Sequence, residues 1–386
     1  HFRIERYIRP HAAPPIKTNP GETLFILPFD HHHKTTEASY TKIKDRLSNL
    51  GCRTLLFLSS IDEVIWEVDG VEQGRYSREN IDLSQISRRI TLQGKKGEET
   101  EQEQWLLFER KVEHPEKKKQ TKVEIAFLLH VDSKTDIETI RPINTSHLFV
   151  YFPTERETHL RFLIQGHYNT TPSRDNILIN DLWNESLIHE TAQLVVDALI
   201  QFRDEGKVNL SLLQTMPIHS GEFPEGSLFR PIYDAVRMAF QDIPLLPAFN
   251  GTYISAQNAK LCRSSELRQL LTPDVLPDLF GEESKFTWLS DEITIDRAPE
   301  LRKYLMEELR VEEIDPEKFA GKVGASLFER RTDEWMAQFY RFLDGQKALW
   351  RRGEHHFRQG SLREKPFIRL EDGSHVPPFD LEGQPN

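Results

Sequence analysis

The residues with the clearest capacity for chemistry lie in one run, Phe162-Leu163-Ile164-Gln165-Gly166-His167-Tyr168-Asn169-Thr170-Thr171-Pro172-Ser173-Arg174-Asp175-Asn176-Ile177. An apolar stretch ends at Gly166, and a polar segment then leads toward a long amphipathic pattern. Ser173 and Asp175 are of the types that accept hydrogen bonds from free backbone N–H groups at such a turn. Arg174 is then presented from a short, braced loop. Phosphoryl transfer needs cations aimed at the γ-phosphate oxygens, and a guanidinium with its fixed fork of donors suits that task. An arginine delivered from a second domain would make hydrolysis conditional on docking and so couple chemistry to movement. The competing reading is a structural arginine pairing with Asp175, Asp181 or a backbone carbonyl, and the pattern by itself favours it.

Other chemistries lack their residues. No Gly-x-x-x-x-Gly-Lys-Ser/Thr occurs; Lys95, Lys207 and Lys322 each follow a glycine, but none precedes Ser or Thr. No cysteine pair has zinc spacing. His189-Glu190 opens like a zinc-protease helix, but Gln193 stands where the second His is needed, so it reads as a surface pair. His31-His32-His33 reads as a solvated loop, because three adjacent imidazoles cannot all face one metal, and Glu354-His355-His356 is read the same way. No motif places a Ser-His-Asp constellation.

The elements that must position the loop can be read from periodicity. Thr23-Leu24-Phe25-Ile26-Leu27-Pro28 and Thr54-Leu55-Leu56-Phe57-Leu58 read as buried strands. Between them Tyr40, Ile43, Leu47 and Leu50 mark a helix, with Gly51 placed as its C-terminal cap. From about 60 to 165 the reading is mostly strands. Val64–Val68 precedes the turn Asp69-Gly70, and Trp105–Phe108 and Val123–Leu129 are neighbours across a solvated hairpin loop holding Pro115 and Lys117-Lys118-Lys119. His147–Pro153 and Arg161–Ile164 follow. Residues 185–204 form the clearest helix, its core face marked by Leu187, Ile188, Leu194, Val195, Val196, Leu199 and Phe202. Beyond 205 come helices and short hairpins. Ser227 is placed to cap a helix through Tyr233, Val236 and Phe240, and Trp335, Phe339, Phe342 and Leu349 mark another. Pro244-Leu245-Leu246 with Asn250-Gly251-Thr252-Tyr253-Ile254 is echoed by Pro366-Phe367-Ile368 with Asp372-Gly373-Ser374-His375-Val376: an internal repeat, or two common hairpins.

Composition bounds the rest. The 386 residues suffice for two or three domains, and 38% hydrophobic with 10% aromatic content fits globular protein. A formal charge of −11 argues against a duplex-DNA surface. Two distant cysteines, Cys52 and Cys262, point to a reducing, cytoplasmic setting without a disulfide framework. No apolar run approaches the ~18 residues of a membrane span. The chain opens on His1 directly before a strand-like run, Phe2–Ile8, and then a Pro-rich bend through Pro10, Pro14, Pro15 and Pro20; both ends read as cut, which gives the expectation of a piece of something longer.

In order and motif the first 204 residues resemble the 90-kDa heat-shock chaperones and sacsin-type proteins, both of the GHKL ATPase class. Ser173-Arg174-Asp175 is similar to the chaperone loop with a Ser-Arg-Glu core, and Gly166-His167-Tyr168 to the Gly-His-Phe-like start of the sacsin loop. Gly21-Glu22-Thr23-Leu24-Phe25-Ile26-Leu27-Pro28, the helix at 36–50 and Thr54–Leu58 resemble the tail of the ATP-binding domain, and Leu27-Pro28-Phe29 a sacsin-like strand end. The resemblance implies an α/β fold: residues 1–60 closing an ATP-binding domain, 61–204 a mixed-sheet transducer-type domain with flanking helices, and 205–386 a mainly helical extension with hairpins. It implies ATP and Mg²⁺ held mainly by residues upstream, Arg174 reaching the γ-phosphate, and Thr23, Asn169 and Ser173 at the edge of the nucleotide site; Thr23 reads equally as an ordinary strand-start threonine, and the residues themselves favour Asn169 and Ser173 as loop-formers over ligands. It further implies a client or partner protein and a homodimer. The Asp-x-Gly-x-Gly of the adenine pocket is missing, and the Glu-x-x-x-Asn matches at Glu205/Asn209 and Glu382/Asn386 have no pocket around them. A non-catalytic scaffold with a degenerate ATPase fold, including one in a bacterial defence system, is the alternative. A nucleic-acid machine of the same class is disfavoured, since those present a lysine where this chain has Arg174.

Overall fold

The computed structural model describes residues 19–25, 33–115, 118–132, 134–281, 285–350, 360–380 and 384–385. The expectations for Phe2–Ile8, the prolines at 10, 14 and 15, Ile26–Phe29, His31, His32, Lys117 and Glu354–His356 lie outside these residues. After a helix α1 (Thr36–Ser48), the chain builds a nine-stranded mixed sheet. Strands β1 (Glu63–Val68), β2 (Val71–Asp82), β3 (Ser87–Lys96), β4 (Glu99–Glu113) and β5 (Gln120–Val131) form an antiparallel meander. With β6 (Glu138–Arg141), β7 (His147–Val150), β8 (Phe152–Glu157) and β9 (Leu163–Gly166) the order is β1-β2-β3-β4-β5-β9-β7-β8, and β6 pairs with the distal half of β5. Asp69 and Gly70 both take positive φ, 52° and 76°, the backbone that a two-residue hairpin turn requires.

The central strands read as unbroken apolar runs because both faces are covered. Trp105, Leu107 and Ala126 share a cluster with Cys52 and Leu55–Leu58. Leu106, Phe108, Ile125 and Phe127 face α2 (Leu182–Asp204), where the Phe202 ring lies 5.4 and 5.6 Å from those of Phe108 and Phe127. α2 starts three residues earlier than its periodicity indicated, because Asp181 caps it by accepting from the Asn184 amide at 2.9 Å. All its expected core residues are buried except Val196, which is half-buried.

Near the N-terminus the expectations are corrected. Thr23, Leu24 and Phe25 form no strand and are exposed. Leu55–Leu58 is buried as expected and Thr54 half-buried, but as a 3-10 turn (Cys52–Leu55) and its continuation, since so short an apolar run does not determine backbone geometry. α1 is capped by Asn49, not by Gly51, and Tyr40 and Ile43 are exposed while Leu47 and Leu50 are half-buried against the sheet cluster.

Beyond 204 lie helical segments with small β elements. They are α3 (Leu210–Thr215), α4 (Arg230–Asp242), β10 (Leu246–Pro247), β11 (Tyr253–Ile254), β12 (Ala259–Cys262), α5 (Ser265–Leu270), α6 (Leu276–Phe280), β13 (Thr287–Trp288), α7 (Pro299–Glu307), β14 (Glu312–Ile314), α8 (Pro316–Lys322), α9 (Ala325–Glu329), α10 (Asp333–Gly345), β15 (Ile368–Arg369) and β16 (His375–Val376). Ser227 does not cap α4; its buried hydroxyl has no partner, and the helix opens at Arg230-Pro231. Leu349 falls in a separate 3-10 turn after α10. α4 and α7 share one apolar core with α2, so that core runs across residue 204, while α5, α6 and α8–α10 enclose a second one. Between the two sits a parallel sheet, β13-β12-β14, with Ala259 and Leu261 turned to the first core and Cys262 to the second. The two hairpins match bond for bond. Leu246 pairs with Ile254 as Ile368 pairs with Val376, Gly251 and Gly373 have φ of 79° and 83°, and the Asn250 and Asp372 carbonyl-type oxygens accept from the Thr252 and Ser374 hydroxyls at 2.7 and 2.6 Å.

Candidate functional site

The loop from His167 to Asp181 joins β9 to α2 and is laced to itself. Thr170 and Ile177 form a bridge, Leu178 N–H donates to the Asn169 carbonyl at 2.9 Å, and Thr171 N–H to that of Asn176 at 2.9 Å. At the tip Arg174 N–H closes a turn onto the Thr171 carbonyl at 3.0 Å, and the Thr171 hydroxyl donates to the Asp175 carboxylate at 2.7 Å. The buried Asn184, one turn into α2, clamps the neck: its Oδ1 accepts from Asn169 N–H at 2.7 Å, and its Nδ2 donates to the Asn169 and Leu178 carbonyls, both at 3.0 Å. Glu155 N–H of β8 donates to the Asp175 carbonyl at 2.7 Å and ties the tip to the sheet.

Packing fixes the loop's base. A Cβ on Gly166 would lie 2.8 Å from the ring of the buried Tyr168, so only glycine fits there without displacing that ring. The Trp183 indole N–H donates to the His167 carbonyl at 3.0 Å, and the His167 ring meets the Tyr151 hydroxyl through Nε2. Burial, then Lys119 and Lys122, pushes the His167 pKa down, which keeps the ring neutral. Hydrogen bonds from Thr171 and Ser173 hold the Asp175 carboxyl below the usual carboxylate range.

Arg174 stands at the tip with φ of +60°, an uncommon backbone for a non-glycine residue, and its side chain is exposed. Among the described residues its guanidinium has no hydrogen bond or ion pair. The acceptors that a structural role would use are engaged elsewhere: Asp175 with Thr171, and Asp181 with Asn169 at 3.1 Å and the α2 N-terminus. Ser173 is exposed beside it, 3.4 Å from the Thr171 hydroxyl. Asn169 is consumed by the loop's own bonding. No hydrogen bond or ion pair joins Thr23 to this loop among the described residues. Leu178, Ile179 and Leu182 flank it as an apolar collar, Ile179 and Leu182 being 73% and 83% exposed. A cleft of about 650 Å³ opens beside the collar between α2 and α4, lined by Ile179, His189, Ser227 and Met238 among others.

Sequence reasoning did not single out Asn184. Its signal was Asp181-x-x-Asn184, a capping residue followed at the third helical position by an amide. Glu190, expected at the surface of the helix, pairs with Arg110 at 2.9 Å. Among the described residues no group of three or more His, Cys, Asp or Glu could hold a metal ion, and no helix is long and apolar enough to cross a membrane. No family model, curated protein or solved structure matches the chain.

Proposed function

We propose that this chain is the transducing part of an ATP-driven conformational machine of the GHKL class, and that Arg174 reads the γ-phosphate of a nucleotide held by an adjoining ATP-binding domain. The observation that carries the reading is a guanidinium without a partner among the described residues, on a loop cross-braced at its neck, tip and base. The bracing fixes the backbone from which the cation is presented, and a cation delivered to the γ-phosphate oxygens is what phosphoryl transfer requires. The collar of Leu178, Ile179 and Leu182 supports the same reading, since docking of a second domain around Arg174 would cover it. Ser173 would sit beside the phosphate. Asn169 would act by holding the loop. Thr23 would lie at the edge of the nucleotide pocket.

The adenine pocket and the Mg²⁺ ligands would come from the adjoining domain and the nucleotide itself, because the chain has no Asp-x-Gly-x-Gly and its described residues offer no metal cluster. Mg²⁺ would neutralise phosphate charge there, and Arg174 would supply the cation from this side. The transduced motion would act on a partner or client protein, and a homodimer fits the mode of action of the class.

The test is ATP hydrolysis by the protein together with its ATP-binding domain. Arg174→Ala is expected to lower turnover by more than about tenfold with little change in ATP affinity, because the contact is made mainly in the transition state. Unchanged turnover in a folded variant would sink the assignment and leave a docking module in its place.

A further inference from the structure

Three arginines from separate elements line a second cleft, of about 510 Å³, at the carboxyl ends of the small parallel sheet: Arg263 just after β12, Arg268 on α5 and Arg302 on α7. The chain leaving β12 turns to one side, where Leu267, Leu270 and Leu271 join the second core. The chain leaving β13 turns to the other, where Leu301, Tyr304 and Leu305 join the first. A crevice between connections that diverge at the carboxyl ends of parallel strands is the place where open α/β sheets bind ligands.

The charges in the cleft are unevenly engaged. Arg302 is paired with Glu313. Arg268 packs over the Phe249 ring at 5.0 Å, and its buried Nε has no hydrogen-bond partner. Its ion pair with Asp291 is loose, at 3.9 Å, and the Asp291 side chain is 59% exposed. Arg263 is exposed, and its guanidinium has no partner among the described residues. Asp296, the remaining carboxylate of the lining, is exposed as well. The buried Cys262 also borders the cleft, and burial pushes its thiol pKa up.

We propose that this cleft binds a phosphate monoester of a small polar molecule. Arg263 and Arg268 take the phosphate oxygens, and Asp291 and Asp296 accept from hydroxyl or amino groups on the rest of the ligand. Two guanidinium forks arriving from different elements match the three oxygens of a terminal phosphate better than the two of a carboxylate.

The experiment titrates the 386-residue chain with ribose 5-phosphate, inorganic phosphate and acetate at constant ionic strength, followed by calorimetry. Saturable binding of both phosphates is expected, tighter for ribose 5-phosphate, with none for acetate. Arg263→Ala should weaken it by about tenfold or more, the loss of one charge-assisted pair. Arg268→Ala should do the same, but it also removes packing against Phe249, so the exposed Arg263 is the deciding position. Arg341→Ala, an exposed arginine of α10 outside the cleft, should leave the binding unchanged. Absence of saturation, equal binding by the Arg263→Ala variant, or acetate binding as strong as phosphate would each overturn the proposal.

Discussion

Asn184 reinforces the backbone pairing at the loop's neck: one amide closes three hydrogen bonds there. Asn184→Ala leaves the Asn169 N–H and the Asn169 and Leu178 carbonyls without those partners, and we expect a loss of about 2–4 kcal/mol in denaturant unfolding. Faster amide exchange across residues 170–178 should accompany it, and unchanged exchange there would show that the neck is held by other means. His167 makes a prediction about pH. Its ordinary pKa of 6.5 is depressed in the folded chain by burial and by Lys119 and Lys122. Above 6.5 the ring is neutral folded and unfolded alike. Below 6.5 the unfolded chain takes up the proton first, so stability falls from there down to the lower folded value and is then constant. The Tm of the native chain should therefore drop on acidification below about pH 6.5 more steeply than that of His167→Gln. Parallel curves would remove His167 as the cause. Arg174 was legible as a candidate from the sequence. Its freedom from Asp175 and Asp181 was not, because that depends on which hydroxyls and amides reach those carboxylates first.

At the scale of elements, the repeat is the feature that the sequence raised and geometry made specific. Both hairpins use glycine at the same turn position with φ near +80°, where a Cβ would strain the backbone. Gly251→Ala and Gly373→Ala should each cost about 1–2 kcal/mol, and a cost at only one site, measured by denaturant unfolding, would argue against equivalent turns. Long periodic elements were readable: the 23-residue α2 and the β4–β5 pair carry enough positions to fix a period. Thr54–Leu58 was too short to separate a strand from a 3-10 turn. The parallel β13-β12-β14 sheet was invisible, because strands of two to four residues have no period and parallel partners give no turn signal.

For the molecule as a whole, two apolar cores meet at that small sheet, so local damage should stay local. Phe339 is fully buried in the second core among Trp335, Phe319, Phe328 and Phe367. Phe339→Ala should cost that core about 3–5 kcal/mol and speed exchange in α8–α10 while α2 amides stay protected. Equal loss of protection in α2 would mean that the two cores unfold together. By itself the sequence determined the burial of the long periodic elements, where the long helix and the central strands run, though not that of Thr23–Phe25, Tyr40 or Ile43, which are exposed. Only the tertiary structure decided that one core crosses residue 204, that Arg174 lacks a partner among the described residues, and that Arg263, Arg268 and Arg302 share a cleft. Burial depends on each residue's own polarity and local period, whereas the meeting of side chains far apart in the chain depends on how the elements stack.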